Sequence, residues 1–319
     1  MEQVNKLKIK DIENIYRENY NSLLENFLSI QSDFLTGIYQ RYNKDLDTAN
    51  IVLLFARDMH LETLRGRELD LDFDISFDNF WNNHKKVKLK KFKIINISKD
   101  TGLPKETARR KVNGLIANKT LNKHNQRVSW NPTESYKTSY NKIVLHEMEQ
   151  VAKLIQPICQ SVSCNLTREL IIKELKINFS FYWYHYLSCQ LKYLKMWQSK
   201  LNDLELLLIN LQLTIQSYRH NLTDNNREKD STISATSISE ITGIPRATCI
   251  RKLEKLYKLK LIKRDQKNKR FYTDLKNLNV NSLFNTKEIS DKTIGIFTNF
   301  FLTAVTTLCR FNDCWTKSN

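Results

Sequence analysis

Residues Glu240–Lys252 read EITGIPRATCIRK. This stretch decides the fold, because it uses two residue types the chain hardly spends. The 319 residues contain only 6 glycines and 4 prolines, yet Gly243 and Pro245 sit two positions apart. Upstream by 141 positions, Asp100–Lys111 reads DTGLPKETARRK, with Gly102 and Pro104 in the same places.

The match extends in both directions. Ile97–Lys123 laid over Ile238–Arg264 without a gap gives ten identities in 27 positions: Ile97/Ile238, Ser98/Ser239, Thr101/Thr242, Gly102/Gly243, Pro104/Pro245, Thr107/Thr248, Arg110/Arg251, Lys111/Lys252, Leu115/Leu256 and Lys119/Lys260. A spacing this long indicates duplicated domains rather than a solenoid. Upstream of each copy an apolar, helical segment opens on Asp-Leu. One ends at Arg65, 32 positions before Ile97, and the other at Arg219, 19 positions before Ile238.

In the second copy, Ser237-Ile238-Ser239-Glu240 fits a capping box, in which the serine hydroxyl caps the helix and the glutamate reaches back. A helix of about two turns then stops at Gly243, and Pro245 opens the next helix, where its missing N–H costs nothing. Gly supplies a positive φ, Ile244 plugs the corner, and two helices meet sharply. The second helix carries an apolar stripe, Cys249, Leu253 and Leu256. The expected exposed face is Arg246, Arg251, Lys252 and Lys255. KRDQKNKRFYTDL reads as two strands around a polar turn, with Lys267, Lys269 and Arg270 at the tip. In the first copy the stripe is Ala108, Val112 and Leu115. Its exposed face is Lys105, Glu106, Arg109, Arg110 and Asn113, and its hairpin is TLNKHNQRVSW, with Lys123 and Arg127.

This order of elements resembles the winged helix–turn–helix of bacterial regulators. The T-G-[LI]-P-[KR]-x-T-x-x-R-K pattern is most similar to the IclR and MarR type. The resemblance covers about 35 residues per copy, or about 55 with the preceding helix. It implies that the second helix enters the DNA major groove while the wing touches backbone or minor groove.

Charge placement agrees. The net charge is +17, with a pI near 9.5, and such a field attracts polyanions. Lys85–Arg127 holds 14 basic and 2 acidic residues, and Glu240–Arg270 holds 11 and 3, so the rest of the chain is neutral to acidic. Genome-wide codon bias would have spread the lysines evenly. The expected DNA-binding residues are Lys105, Glu106, Thr107, Arg109, Arg110, Lys111, Lys123 and Arg127 in the first copy. In the second they are Arg246, Thr248, Arg251, Lys252, Lys255, Lys267, Lys269 and Arg270. An arginine paired with guanine contributes roughly 1–3 kcal/mol of discrimination; the bland alternative is a solvated helix face. Thr107 and Thr248 are open to two readings, phosphate contact or back-bonding within the helix. The copies differ where sequence would be read, with Glu106 against Ala247 and Arg109 against Ile250, so the halves are expected to read different half-sites or to divide affinity from specificity.

Other features have blander readings. The aromatic run FSFYWYHY, Phe179–Tyr186, could stack bases, but Leu187, Leu191 and Leu194 beside it favour a buried helix. Lys85–Lys93 reads as a DNA-contacting extension or a loop. ELDLDFD would put Glu68, Asp70, Asp72 and Asp74 on one face of a strand; an edge strand or a loop paired with basic neighbours is favoured over a metal site. Leu23, Phe27, Ile30 and Phe34 form one amphipathic stripe. Val144, Met148, Val151 and Ile155 form a second, and Phe297, Phe301, Val305 and Leu308 a third. The six cysteines, Cys159, Cys164, Cys189, Cys249, Cys309 and Cys314, contain no C-x-x-C pair and read as reduced thiols.

No G-x-G-x-x-G, P-loop or G-x-S-x-G occurs, and HEMEQ at His146 lacks the second histidine of a zinc protease. No enzyme activity, cofactor or metal is expected. No secretory signal opens the chain, and the apolar stretch Ile294–Cys309 is 16 residues, short for a membrane span.

The expected architecture is mainly α with small β-hairpin wings: two winged helix–turn–helix domains related by internal duplication, embedded in long helices. The first half spans 1–140, with its helix–turn–helix at about 96–118 and wing at about 120–131. Connecting helices fill 141–200. The second half spans 201–280, with its helix–turn–helix at about 237–259 and wing at about 261–274, and 281–319 is a C-terminal helix. The expected function is sequence-specific binding of double-stranded DNA by a cytoplasmic, nucleoid-associated transcriptional regulator, as a homodimer or an internal pseudo-dimer. The alternatives are a plasmid or phage replication initiator and a nonspecific nucleic-acid-binding or protein-interaction scaffold. No membrane partner is expected.

Overall fold

The computed structural model of the chain describes residues 7–18, 20–223, 232–274 and 287–316. Among these the protein is mainly helical, with two small antiparallel sheets. In chain order the elements are α1 (Ile9–Glu18), α2 (Tyr20–Arg41), α3 (Leu46–Leu69), α4 (Phe80–Lys86), β1 (Phe92–Lys93), α5 (Ile94–Thr101), α6 (Lys105–Ala117), β2 (Leu121–His124), β3 (Arg127–Trp130), α7 (Glu134–Ser161), α8 (Arg168–Ile177), α9 (Phe179–Leu201), α10 (Leu204–Thr223), α11 (Ala235–Thr242), α12 (Arg246–Lys258), β4 (Lys263–Arg264), β5 (Phe271–Tyr272) and α13 (Lys287–Thr316). The chain divides into two compact units that interleave in sequence. One holds α1, α3 to α9 and α13 from Ile296 onward; the other holds α2, α10 to α12, β4, β5 and the start of α13.

The first unit is organised around buried helices. Ala49, Ile51, Val52, Leu54, Phe55, Ala56 and Met59 of α3 are all buried, so this helix is apolar on most of its circumference, as an interior helix must be. Phe55 meets Phe92 of β1 edge-on at 5.1 Å. Phe92 pairs with Val128, and β2 pairs with β3 from Leu121↔Trp130 to His124↔Arg127, giving the strand order β1-β3-β2. Trp130 packs among Trp81, His84 and Tyr136. The Phe179–Tyr186 run lies in α9, where Phe179, Tyr182, Trp183 and Tyr186 are buried. They are core, not a stacking platform. The stripes of α7 and α13 are buried as expected.

Of the two favoured readings of ELDLDFD, the edge strand does not form: α3 runs on through Leu69, and the residues after it form turns. Asp70 Oδ1 accepts from the Asp72 amide at 3.0 Å and Asp74 Oδ1 from the Ser76 amide at 2.7 Å. These local bonds compete with an extended ladder. The apolar C-terminal stretch is also longer than its 16 residues suggested. Asp291–Phe311, 21 residues whose most apolar 18-residue window has a mean hydropathy of 1.4, is long and apolar enough to cross a membrane, although half of that window is buried inside the protein. Its threonines and Asn299 interrupt apolarity without interrupting the helix.

In the second unit α10 is the central helix. It packs against α2, α11, α12 and β5. Leu206, Leu207, Leu208, Ile209, Leu211 and Leu213 are buried, as are Leu23, Phe27, Ile30 and Phe34 of α2. Gln212 donates to Ser32 across this packing, and Arg219 Nε donates to Glu25 Oε1 at 2.8 Å.

The two helix corners are built alike. α5 and α11 each end on a left-handed glycine, Gly102 at φ 78° and Gly243 at φ 74°. Thr101 and Thr242, buried just before them, turn their hydroxyls back to the carbonyls of Ile97 and Ile238 at 2.7 Å in both cases. The same oxygens accept from the amides of Leu103 and Ile244, at 3.4 and 3.2 Å. One hydroxyl thus serves both sides of the turn and leaves no buried amide unpaired. Leu103 and Ile244 fill the corners, both almost fully buried.

The caps differ from expectation in two details. α11 begins at Ala235, and Ser234 caps it by accepting from the Ser237 amide at 3.0 Å, so Ser237 lies inside the first turn and forms no capping box with Glu240. Pro104 and Pro245 stand at the N-cap rather than the first helical position, with extended ψ of 140° and 136°. Their carbonyls accept the first helical bonds, from Ala108 and Cys249, at 2.9 Å each.

Candidate nucleic-acid interface

α6 and α12 present the basic side chains, and the corners fix which ones. Ala108, Val112 and Leu115 are buried in α6, as are Cys249, Leu253 and Leu256 in α12. With these turned inward, Lys105, Glu106, Arg109, Arg110 and Asn113 are exposed on α6. Glu106, Arg109, Arg110 and Asn113 border an open depression, with Thr107. On α12 the exposed side chains include Arg246, Ile250, Arg251 and Lys255. Thr107 and Thr248 are half-buried.

Lys252 is not on the exposed face. It is buried, and its ammonium meets Asp203 and Glu205 at the start of α10. Successive helical residues are about 100° apart, so placing Arg251 outward on α12 turns Lys252 toward α10. Lys111, its counterpart on α6, is half-buried. These two lysines therefore differ from Arg110 and Arg251, which are exposed.

The two faces differ in chemistry. On α6 the Arg109 guanidinium closes on Glu106, with Nε and Nη2 at 2.9 and 2.6 Å from Oε2. Both side chains are solvated, so this pair is weak, but it holds the arginine along the helix. On α12 the same positions are Ala247 and Ile250, and Ile250 is 40% exposed. Arg246 is oriented from α11 instead, where its Nε donates to Thr236 Oγ1 at 3.0 Å. Cys249 lies under this face. Burial, reinforced by Glu205, pushes its thiol up to about 11, so it is a packing group.

The hairpins carry the remaining residues. Lys123 and Arg127 are exposed on β2 and β3. Lys267, Lys269 and Arg270 are exposed between β4 and β5, where Lys269 is left-handed at φ 56°. Lys123 pairs with Val128 in the first hairpin, while Arg264 pairs with Phe271 in the second. Lys123 and Arg264 correspond, so the stretch between the paired positions is two residues longer in the second hairpin and holds more of the charge. A single bridge, Ile233↔Phe271, stands where β1 meets β3 in the first sheet.

Sequence reasoning did not include the lysines before β1 among the site residues. Lys85, Lys86, Lys88, Lys91 and Lys93 are all exposed along α4 and the chain that enters β1. Lys90 lies 3.8 Å from the buried carboxylate of Asp58. The density of the run was the available signal.

No protein-family model, curated protein or solved structure matches the chain.

Proposed function

We propose that the chain binds double-stranded DNA in the cytoplasm as a transcriptional regulator, through two winged helix–turn–helix units made by internal duplication. The carrying observation is that the two helices, the glycine and the proline of the first basic corner recur 141 positions later around a second exposed basic helix face. α5 and α11 correspond, as do α6 and α12, Gly102 and Gly243, Pro104 and Pro245, and Phe92 of β1 and the bridge residue Ile233. A packing motif alone would not need exposed arginines at both corners. In this reading Lys105, Arg109 and Arg110, with Arg246, Arg251 and Lys255, contact phosphates and base edges. Lys123, Arg127, Lys267, Lys269 and Arg270 hold the flanking backbone. Ile250 offers an apolar contact for a thymine methyl, which Arg109 at the matching position does not, so the halves read different half-sites. Tethering two readers in one chain raises the effective concentration of the second contact.

The test is selection of bound sequences from random duplex DNA by the full-length protein at about physiological salt. A bipartite motif is expected, with one part lost in Arg110→Ala and the other in Arg251→Ala. Binding without enrichment, tracking ionic strength alone, sinks the specific-regulator reading and leaves a nonspecific binder.

A further inference from the structure

Two cysteines five positions apart meet a third, 145 positions further on, inside the first unit. The sulfurs of Cys159, Cys164 and Cys309 lie within 4.8 Å of one another, and all three residues are buried. None is in a disulfide.

The end of α7 brings the first two together. Ser163 is left-handed at φ 60°. Its amide donates to the Gln160 carbonyl, and the Cys164 amide donates to the Cys159 carbonyl, both at 3.0 Å. This two-bond helix stop folds the residue after the turn back over the residue five before it. The chain beyond is pinned, since Gln156 Nε2 donates to the Leu166 carbonyl at 3.0 Å. Cys159 and Cys164 are thus preset by backbone geometry before any ligand arrives. Cys309 comes from the buried stripe of α13, beside Val305 and Leu308.

We propose that Cys159, Cys164 and Cys309 form a binding site for a divalent d10 cation of the zinc class. A zinc–sulfur distance of about 2.3 Å sets neighbouring sulfurs about 3.8–4.0 Å apart, so the observed cluster closes around an ion with movements of rotamer scale. Soft thiolates select such ions over hard ones. A divalent ion also leaves less charge in the interior than a monovalent one. The ion displaces one proton from each thiol, so M²⁺ and three RSH give M(SR)₃⁻ and three H⁺, and no oxidant is needed. The fourth position of a tetrahedral ion is left to water. The bound ion ties the end of α7 to α13 within one unit.

The experiment uses full-length, reduced, chelator-treated protein titrated with Cd²⁺. Sulfur-to-cadmium absorbance in the near ultraviolet is expected to saturate at one ion per chain, with release of three protons and a rise in melting temperature. Cys164→Ser and Cys309→Ser are expected to abolish the absorbance, and Cys189→Ser to keep it. Because a serine in this core can itself weaken folding, X-ray absorption of the unaltered protein loaded with Zn²⁺ decides independently. Three sulfurs at about 2.3 Å support the site. No saturable binding at micromolar ion, a shell of nitrogen and oxygen alone, or full binding by Cys309→Ser overturns it.

Discussion

The ammonium of Lys252 lies 2.5 Å from Asp203 Oδ2 and 3.0 Å from Glu205 Oε2. This contact ties α12 to the start of α10, while Arg251, one residue away, stays exposed. Two adjacent cations on one helix therefore have separable roles. Lys252→Ala leaves two carboxylates facing each other with the balancing charge gone. It is expected to lower stability by about 1–3 kcal/mol, below the usual cost for a fully buried pair because both carboxylates are partly solvated. Arg251→Ala is expected to leave stability within about 0.5 kcal/mol and to weaken DNA binding. Urea denaturation of both variants, beside their DNA affinity, checks the division; a Lys252→Ala protein of unchanged stability refutes it.

Salt dependence gives a second check. If Arg110 and Arg251 each neutralise a phosphate, each alanine variant reduces the slope of log K against log salt by about 1. Fluorescence anisotropy across a range of ionic strength measures this. An unchanged slope with a changed sequence preference would instead assign these arginines to base contact.

The glycines predict opposite signs. Gly102 and Gly243 are left-handed, so alanine at either costs about 1–2 kcal/mol. Gly102→Ala is expected to be the worse, because a Cβ there meets Lys195 Cγ at 3.3 Å, whereas at Gly243 the nearest atom is 3.7 Å away. Gly114 lies inside α6, and a methyl group there would meet nothing within 4 Å. Gly114→Ala is expected to stabilise by about 0.5–1 kcal/mol. Thermal melts of the three variants test the order.

Acid should weaken the first unit through its histidines. Burial, with Lys137 and Lys85 nearby, holds His84 down to about 4. Burial alone holds His60 well below its ordinary value, stacked on Phe80 at 4.4 Å and bonded to the Tyr140 hydroxyl at 3.0 Å. Below the ordinary imidazole value the unfolded chain takes up protons that the folded one refuses, so stability falls as pH drops from about 6.5 toward 4. Asp58 and Glu174, raised by burial, pull the other way, so the histidine part is read by difference. His84→Gln is expected to flatten the melting temperature between pH 7 and 5 relative to the unaltered protein.

Much of this was legible in the sequence, for local reasons. Gly102, Pro104, Gly243 and Pro245 mark corners because only their backbone preferences suit them, and the stripes at Val112 and Leu253 follow from helical period. What stayed hidden depends on partners far along the chain. Nothing local distinguishes Lys252 from Arg251; the difference is Asp203 and Glu205, on another helix. The role of Thr101 and Thr242 was hidden because a hydroxyl bridging a turn leaves no periodic trace. Cys159 and Cys164 stand five positions apart, but Cys309 lies 145 positions further on, so the trio shows only in the fold.

The helix α10 has a mechanical consequence. Asp203 at its start holds α12, and near its other end Ser217 Oγ accepts from the Thr273 amide, just past β5, at 3.0 Å. The two anchors stand 14 residues apart, roughly 20 Å along a single rod at helical rise. Helix and hairpin in this unit are therefore mounted on one ruler and cannot shift independently. A ligand touching both must fit their fixed separation, and little order remains to be imposed when it does.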